Sequence, residues 1–278
     1  MGESISTLLF QPPPPTFLHP SRHIYLTTST GTRIPAFFID RGASVTLLFS
    51  HGNAEDLGMI YDWFVDLSRV LSVNVFCYDY TGYGKSSNRE KPTEEQVYRD
   101  VDAAYEYLTE GRGVRPENIV LYGRSLGSGP TCYLAAKTAA AGRSVAGIIL
   151  QSPLLSAYRV AFNFRFSLTG DKFCNIDKVS SITCPVFIVH GTQDEVVPFW
   201  HGQELWVNLD AKWRAKPFWV LGAGHNNIEA VLRKTGAFID HLAEFLDIHI
   251  PARWGEEKGP IEVTECIERA IRRANKDD

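Results

Sequence analysis

The amino-acid sequence predicts an α/β fold: a mostly parallel central sheet with helices on both faces and a small cap insert. Three observations lead there. Short strand-like runs are apolar throughout, as strands buried on both faces of a parallel sheet are. Segments of helical period alternate with them. One run, Ile119-Val120-Leu121-Tyr122, passes through Gly123-Arg124-Ser125-Leu126-Gly127 into a helix-like segment, the strand–turn–helix context in which a serine is held above a sheet.

Residues 1–22 hold Pro12-Pro13-Pro14-Pro15 and read as an extended lead-in, a surface strap rather than a polyproline ligand. Two β-rich runs follow, His23–Thr28 and Arg33–Ile39, joined by the turn Ser29-Thr30-Gly31-Thr32. The remaining strands fall at Val45–Ser50, Val73–Tyr78, Ile119–Tyr122, Val145–Leu150, Val186–His190 and Phe218–Leu221. Helices are expected over 58–71, 93–109, 127–140, 199–209 and 228–246. The second begins on the capping-box pattern Thr93-Glu94-Glu95-Gln96 and continues with Val97, Val101, Ala104, Tyr105 and Leu108 at helical spacing. One domain therefore spans 23–250, with a mini-cap over about 152–184. The tail 251–278 is charged, interrupted by Glu256-Glu257-Lys258-Gly259, and reads as a loosely held appendage with Ile267 and Ile271 along one side.

A chain of 278 residues with 44% hydrophobic content can bury a large core. Its net charge of −4 gives no electrostatic footprint for nucleic acid. No apolar stretch reaches the ~18 residues of a membrane span, and the start lacks the basic-then-apolar pattern of a secretory signal. Cys77, Cys132, Cys174, Cys184 and Cys266 are odd in number and lack metal-type spacing. The expectation is a reduced, intracellular, cytoplasmic protein needing no metal and no organic cofactor.

The chemistry centres on Ser125. Side chains at 123 and 127 would collide where strand and helix pack closely, so glycine stands at both. The serine sits at a helix N-terminus, whose dipole favours developing negative charge. A serine hydroxyl needs a histidine to take its proton and a carboxylate to fix that imidazole. On such a sheet the order along the chain is Ser, then Asp or Glu, then His, each after a strand. Asp194 meets that order beyond Gly191-Thr192-Gln193, and His225 meets it in Gly222-Ala223-Gly224-His225. The bland reading of Asp194 is a turn residue capping the next helix. Glu195 is expected to point elsewhere, and the other seven histidines lie in strands, helices or the wrong segment.

An oxyanion hole needs two donors. The backbone N–H of Leu126, next after the serine, is one; the N–H of Asn53, in the loop His51-Gly52-Asn53-Ala54, is the other. His51 is expected to brace that loop. The segment from Tyr78 to Ser86 lacks phosphate-loop spacing and is expected to shape the pocket rim. In the cap, Phe162, Phe164 and Phe166 are candidate substrate-binding residues lining an acyl groove, or else they pack on the domain.

These blocks resemble the α/β-hydrolase-domain-containing protein 17 family, whose members act as protein depalmitoylases. The resemblance rests on Ser50-His51-Gly52-Asn53-Ala54, Tyr78-Asp79-Tyr80 with Gly82-Tyr83-Gly84, and Tyr122-Gly123-Arg124-Ser125-Leu126-Gly127-Ser128-Gly129. It extends to His190-Gly191-Thr192-Gln193-Asp194-Glu195-Val196-Val197 and Gly222-Ala223-Gly224-His225-Asn226-Asn227-Ile228-Glu229, and covers about Phe10 to Phe245. It implies an α/β-hydrolase fold and a serine esterase or thioesterase with Ser125, Asp194 and His225 as its triad. The family carries an acylated N-terminal cysteine cluster, and this chain has no cysteine before Cys77. Met1-Gly2-Glu3-Ser4-Ile5-Ser6 fits the bare myristoylation pattern, although Glu3 is unfavourable there. The expected partners are an acylated protein or lipid substrate, with peripheral membrane contact as an open expectation. The alternatives are a lysophospholipase or monoacylglycerol lipase, a serine peptidase, and a non-catalytic binding protein on the same fold.

Overall fold

The computed structural model describes residues 9–87, 92–162, 169–232 and 235–254. Among them eight strands form one sheet: β1 (Ile24–Thr27), β2 (Arg33–Ile39), β3 (Thr46–Ser50), β4 (Asn74–Tyr78), β5 (Ile119–Arg124), β6 (Gly147–Gln151), β7 (Val186–Gly191) and β8 (Phe218–Val220). Their spatial order is β1-β2-β4-β3-β5-β6-β7-β8. The β1–β2 and β2–β4 pairs are antiparallel and the other five are parallel.

The helices are α1 (Leu57–Leu71), α2 (Glu94–Glu106), α3 (Ser128–Ala140), α4 (Ala157–Phe162), α5 (Trp200–Asn208), α6 (Ile228–Leu232) and α7 (Ala237–His249). Alternation along the central strands splits the core into two layers. Leu48, Phe76, Leu121, Ile148 and Ile188 face one layer with Val97 and Val101 of α2, Leu134 of α3 and Leu205 of α5. Leu47, Val75, Val120, Ile149 and Phe187 face the other, with Phe64 of α1 and Phe245 of α7. Helices thus cover both faces, and neither face could be left to water.

Local chemistry sets the helix ends. The Asp56 carboxylate accepts the Met59 N–H and caps α1, while Ser72 ends that helix at φ 51°. The expected capping box of α2 is present: Gln96 N–H donates to the Thr93 hydroxyl, and Thr93 N–H donates to Gln96 Oε1. The helix expected over 93–109 stops at Glu106 and runs on as a π-turn, Tyr107–Gly111. The single helix expected over 228–246 is corrected to two, α6 and α7. Gly236, at φ 71°, stands as the N-cap of α7, a backbone conformation that no helix interior accepts.

The lead-in is a strap from residue 9 onward. Phe10 and Leu18 are buried, and Thr16 bonds the Asp56 carboxylate through both its N–H and its hydroxyl. Residues 1–8, with the Gly2 expectation, and 255–278, with Ile267 and Ile271, lie outside the described residues. Among the described residues no helix is long and apolar enough to cross a membrane.

Strand register puts the loops that matter on one edge. Ser50 lies beside Gly123, Arg124 beside Gln151, and Gly191 beside Val220. From β3 the chain goes out to β4 on one side and returns to β5 on the other. The crevice outside such a switch point, at the carboxyl ends of the strands, is where open α/β sheets bind ligands.

Candidate active site

Ser125 follows β5 at φ 52°, left-handed backbone that a non-glycine residue adopts at a cost of about 1–2 kcal/mol. The turn closes because its flanks are bare. A Cβ on Gly123 would lie 2.5 Å from the Gly127 carbonyl oxygen, and one on Gly127 would lie 2.0 Å from that of Ser50. The Ser128 hydroxyl then donates to the Ser125 carbonyl and accepts from Leu154 N–H and Asn175 Nδ2, which ties the elbow to the cap insert.

The structure brings Ser125, His225 and Asp194 together. His225 Nε2 is 3.0 Å from Ser125 Oγ, and His225 Nδ1 is 2.7 Å from Asp194 Oδ2. An ionised carboxylate only accepts, so Nδ1 carries the proton and Nε2 is left as the acceptor facing the serine. Asp194 also takes the Val196 and Val197 N–H groups on Oδ1, at 3.0 and 2.7 Å. Burial works to raise its pKa. Hydrogen bonds from His190 and His225, the His225 charge and the Val197 N–H outweigh burial and hold the carboxyl well below the usual carboxylate range. The loops of acid and base are fastened to each other by Gln193 N–H on the Ala223 carbonyl. They can approach because a Cβ on Gly191 would sit 2.3 Å from that carbonyl oxygen. Glu195 accepts the His225 backbone N–H at 3.3 Å, while the imidazole bonds Asp194 and Ser125.

Asn53 and Leu126 stand with Ser125 in the wall of one cavity of about 240 Å³. Its remaining lining is apolar apart from Gln11: Leu9, Leu154, Ala157, Val160, Ala161, Val196 and Val197. Tyr83 OH and Gln11 N–H both donate to Asn53 Oδ1, which fixes the residue's orientation. His51 braces the same loop: its Nδ1 donates to the Gly52 carbonyl, and burial lowers its pKa and keeps the ring neutral.

Two expectations need correction. The Tyr78–Ser86 segment does not form the pocket rim. Tyr80 and Tyr83 are fully buried behind the Asn53 loop, where Tyr80 OH donates to the His51 carbonyl. Phe162 does not line the cavity. It is 57% exposed with its ring against Tyr158, and the α4 residues that do line the cavity are the smaller Ala157, Val160 and Ala161. Phe164 and Phe166 lie outside the described residues. Phe173 is a packing residue, fully buried against Gly129, Phe10 and Tyr98.

Sequence reasoning also missed three contributors. Leu9 and Gln11 reach the cavity from the strap, a contact across more than forty residues that no local pattern announces. His190, the penultimate residue of β7, lies beside Asp194, its Nε2 2.9 Å from the Val197 carbonyl and 3.3 Å from Asp194 Oδ2. A carbonyl can only accept, so the proton is on Nε2 and is shared with the carboxylate. Its spacing, four residues before Asp194, was the available signal. Among the described residues no group of three His, Cys, Asp or Glu is arranged to hold a metal.

Sheet and site together define an α/β hydrolase. A family model described as serine aminopeptidase, S33, matches residues 42–173. Human alpha/beta hydrolase domain-containing protein 17B is 44% identical over 222 residues, which are 79% of this chain and 73% of that protein. The mouse 17C protein is 41% identical over 227 residues, 81% of this chain and 67% of that one. The chain belongs to the alpha/beta hydrolase domain-containing protein 17 family, as its motifs led one to expect. An esterase of Pyrococcus furiosus shares the fold at a TM-score of 0.68 and 17% identity, over 86% of this chain and 100% of that one. A monoacylglycerol lipase of Paleococcus ferrophilus does so at 0.55 and 17%, over 76% and 98%.

Proposed function

We propose that this hydrolase is a serine enzyme that cleaves acyl esters or thioesters through an acyl-enzyme, with long-chain acyl groups as its substrates. The observation that carries the reading is the Ser125–His225–Asp194 relay, 3.0 and 2.7 Å between partners, at an apolar cavity. His225 Nε2 takes the hydroxyl proton as Ser125 Oγ attacks the acyl carbonyl. The N–H groups of Leu126 and Asn53 receive the developing oxyanion; losing one such donor typically costs roughly 100- to 1000-fold in rate. Protonated His225, its charge supported by Asp194, returns the proton to the leaving alcohol or thiol. Water then attacks the acyl-enzyme with His225 again as base, and the carboxylic acid departs.

None of the eleven cavity-lining residues carries a charge and only Gln11 and Asn53 carry amides, which favours an acyl chain over a polar substrate. Val196, on the lining, is 45% exposed, and Phe162, which lies outside the lining on α4, is 57% exposed. Exposed apolar side chains of this kind favour substrates presented as lipid or as acylated protein, and brief contact with a membrane surface.

A fluorophosphonate probe tests the reading, with wild type beside Ser125→Ala and His225→Ala. Labelling of the wild type alone, followed by turnover of palmitoyl-cysteine or long-chain esters from a panel that includes glycerolipids and peptides, is the expected result. A folded wild type that takes no label would overturn it.

A further inference from the structure

Arg124, the residue immediately before the nucleophile, is absorbed by none of the roles above, and its side chain ties the end of β5 to the loop after β3 and to α6. Its guanidinium bonds both oxygens of Glu55, through Nη2 to Oε1 and through Nε to Oε2 at 3.2 Å. Its Nη1 donates to Glu229 Oε1 at 3.3 Å. Glu55 lies two residues beyond Asn53 in the loop after β3, and Glu229 lies four beyond His225 in α6. The carboxylates have other donors as well: Gly52 N–H reaches Glu55 Oε2 at 2.7 Å, and Gln151 Nε2 reaches Glu229 Oε1 at 2.8 Å. Side chains of all three charged residues are about four-fifths buried, at 21, 21 and 22% exposure. The guanidinium also lies over the Phe49 ring, 5.7 Å from its centre, at the end of β3.

We infer that Arg124 is a positioning residue: its guanidinium, spanning Glu55 and Glu229, sets the spacing of the oxyanion loop, the nucleophile and the His225 loop. The inference rests on the reading of Ser125, Asn53 and His225 given above and deepens it. Arginine is the side chain for this task. A planar fork with five donors can satisfy two carboxylates in different directions at once, whereas an ammonium is a single point charge. A stabilising role alone is a poor account of the group. Partly buried ion pairs lose in desolvation much of what they gain in attraction, and apolar replacements are often neutral for stability. Geometry is where three separate segments, each next to a reacting group, gain from a shared centre. A misplacement of about 1 Å between reacting groups can cost about 100-fold in rate.

The test is steady-state kinetics on a short p-nitrophenyl ester, with active sites counted by fluorophosphonate titration and folding followed by thermal melting. Arg124→Met is expected to lower kcat per titrated site by about 10- to 100-fold with KM within about twofold. Arg124→Lys is expected to fall between Met and wild type. Glu55→Gln and Glu229→Gln keep shape and an acceptor oxygen, and each is expected to give a smaller loss. Combining either with Arg124→Met is expected to add little, since the centre is already gone. If Arg124→Met does not fold, the two glutamine variants and Arg124→Lys carry the same test. Wild-type kcat per titrated site in these variants, or losses that multiply in the double variants, would overturn the inference. Ser125→Ala run alongside keeps the two readings apart: turnover without the serine removes the parent reading, whereas a dead Ser125→Ala beside a fully active Arg124→Met removes only this one.

Discussion

Gly127→Ala is the sharpest probe of how the nucleophile is held. The new methyl carbon would lie 2.0 Å from the Ser50 carbonyl oxygen, 2.6 Å from its carbon and 2.8 Å from the His51 carbonyl oxygen. Close C···O contacts in proteins are about 3.3 Å, so the elbow and the end of β3 must part by about 1.3 Å. Neither side yields by rotating a side chain, because every clashing atom is backbone, and Ser50 is paired with both Tyr78 and Gly123 in the sheet. Overpacking of this kind costs about 1–3 kcal/mol. In a domain of this size each kcal/mol lowers Tm by roughly 2–4 °C. The same displacement widens the gap between the Asn53 and Leu126 N–H groups. A misplacement of about 1 Å then costs about 100-fold, or about 2.7 kcal/mol on the barrier. The assay pairs thermal melting with kcat/KM for a short ester, normalised to titratable serine. Gly111→Ala is the control, since its Cβ would meet nothing nearer than a Tyr107 ring carbon at 3.5 Å. Wild-type Tm and rate in Gly127→Ala would show that the elbow tolerates the clash and would refute the close-approach argument.

Two further outcomes follow from the core and the cap. His201 accepts the Leu155 N–H in a buried site, and burial, with help from the His190 and Arg159 charges, pushes its pKa down from 6.5 to about 3. A histidine kept neutral by folding contributes stability in full above its unfolded value. That contribution declines as pH falls from 6.5 toward 3, at up to about 1.4 kcal/mol per pH unit. His201→Gln should flatten the acid limb of urea-measured stability across that window, and an unchanged slope would refute the assignment. Phe173→Ala removes a fully buried ring wedged between Phe10, Tyr98 and Gly129 and should cost about 3–5 kcal/mol in denaturant melts; a loss under about 1 kcal/mol would show that the ring does not hold the insert.

What could be read from the sequence divides along a physical line. Ser125, Asp194 and His225 each sit just past a strand whose apolar run is unmistakable, so their order along the chain specified their meeting place. The central strands β3 to β7 were legible for the same reason: burial on both faces leaves little polar character to blur the pattern. The one helix expected over 228–246 spans Gly236, and a lone glycine does not announce the positive φ that divides α6 from α7. The phenylalanines of the cap misled because apolar character cannot say which way a ring points. Phe173 went to the core and Phe162 toward solvent, while Ala157, Val160 and Ala161, too small to draw notice, took the cavity wall. Contacts such as Gln11 to Asn53 and Arg124 to Glu229 join residues whose separation along the chain carries no periodic signal.

The left-handed backbone at Ser125 has an evolutionary reading. Of the twenty residues, glycine occupies that conformation with the least strain, so the substitution that relaxes this turn is also one that deletes the nucleophile. Selection for thermal robustness alone would drift toward glycine at this position. Serine there marks a site where this chain accepts a less settled fold in exchange for a hydroxyl held clear of the sheet.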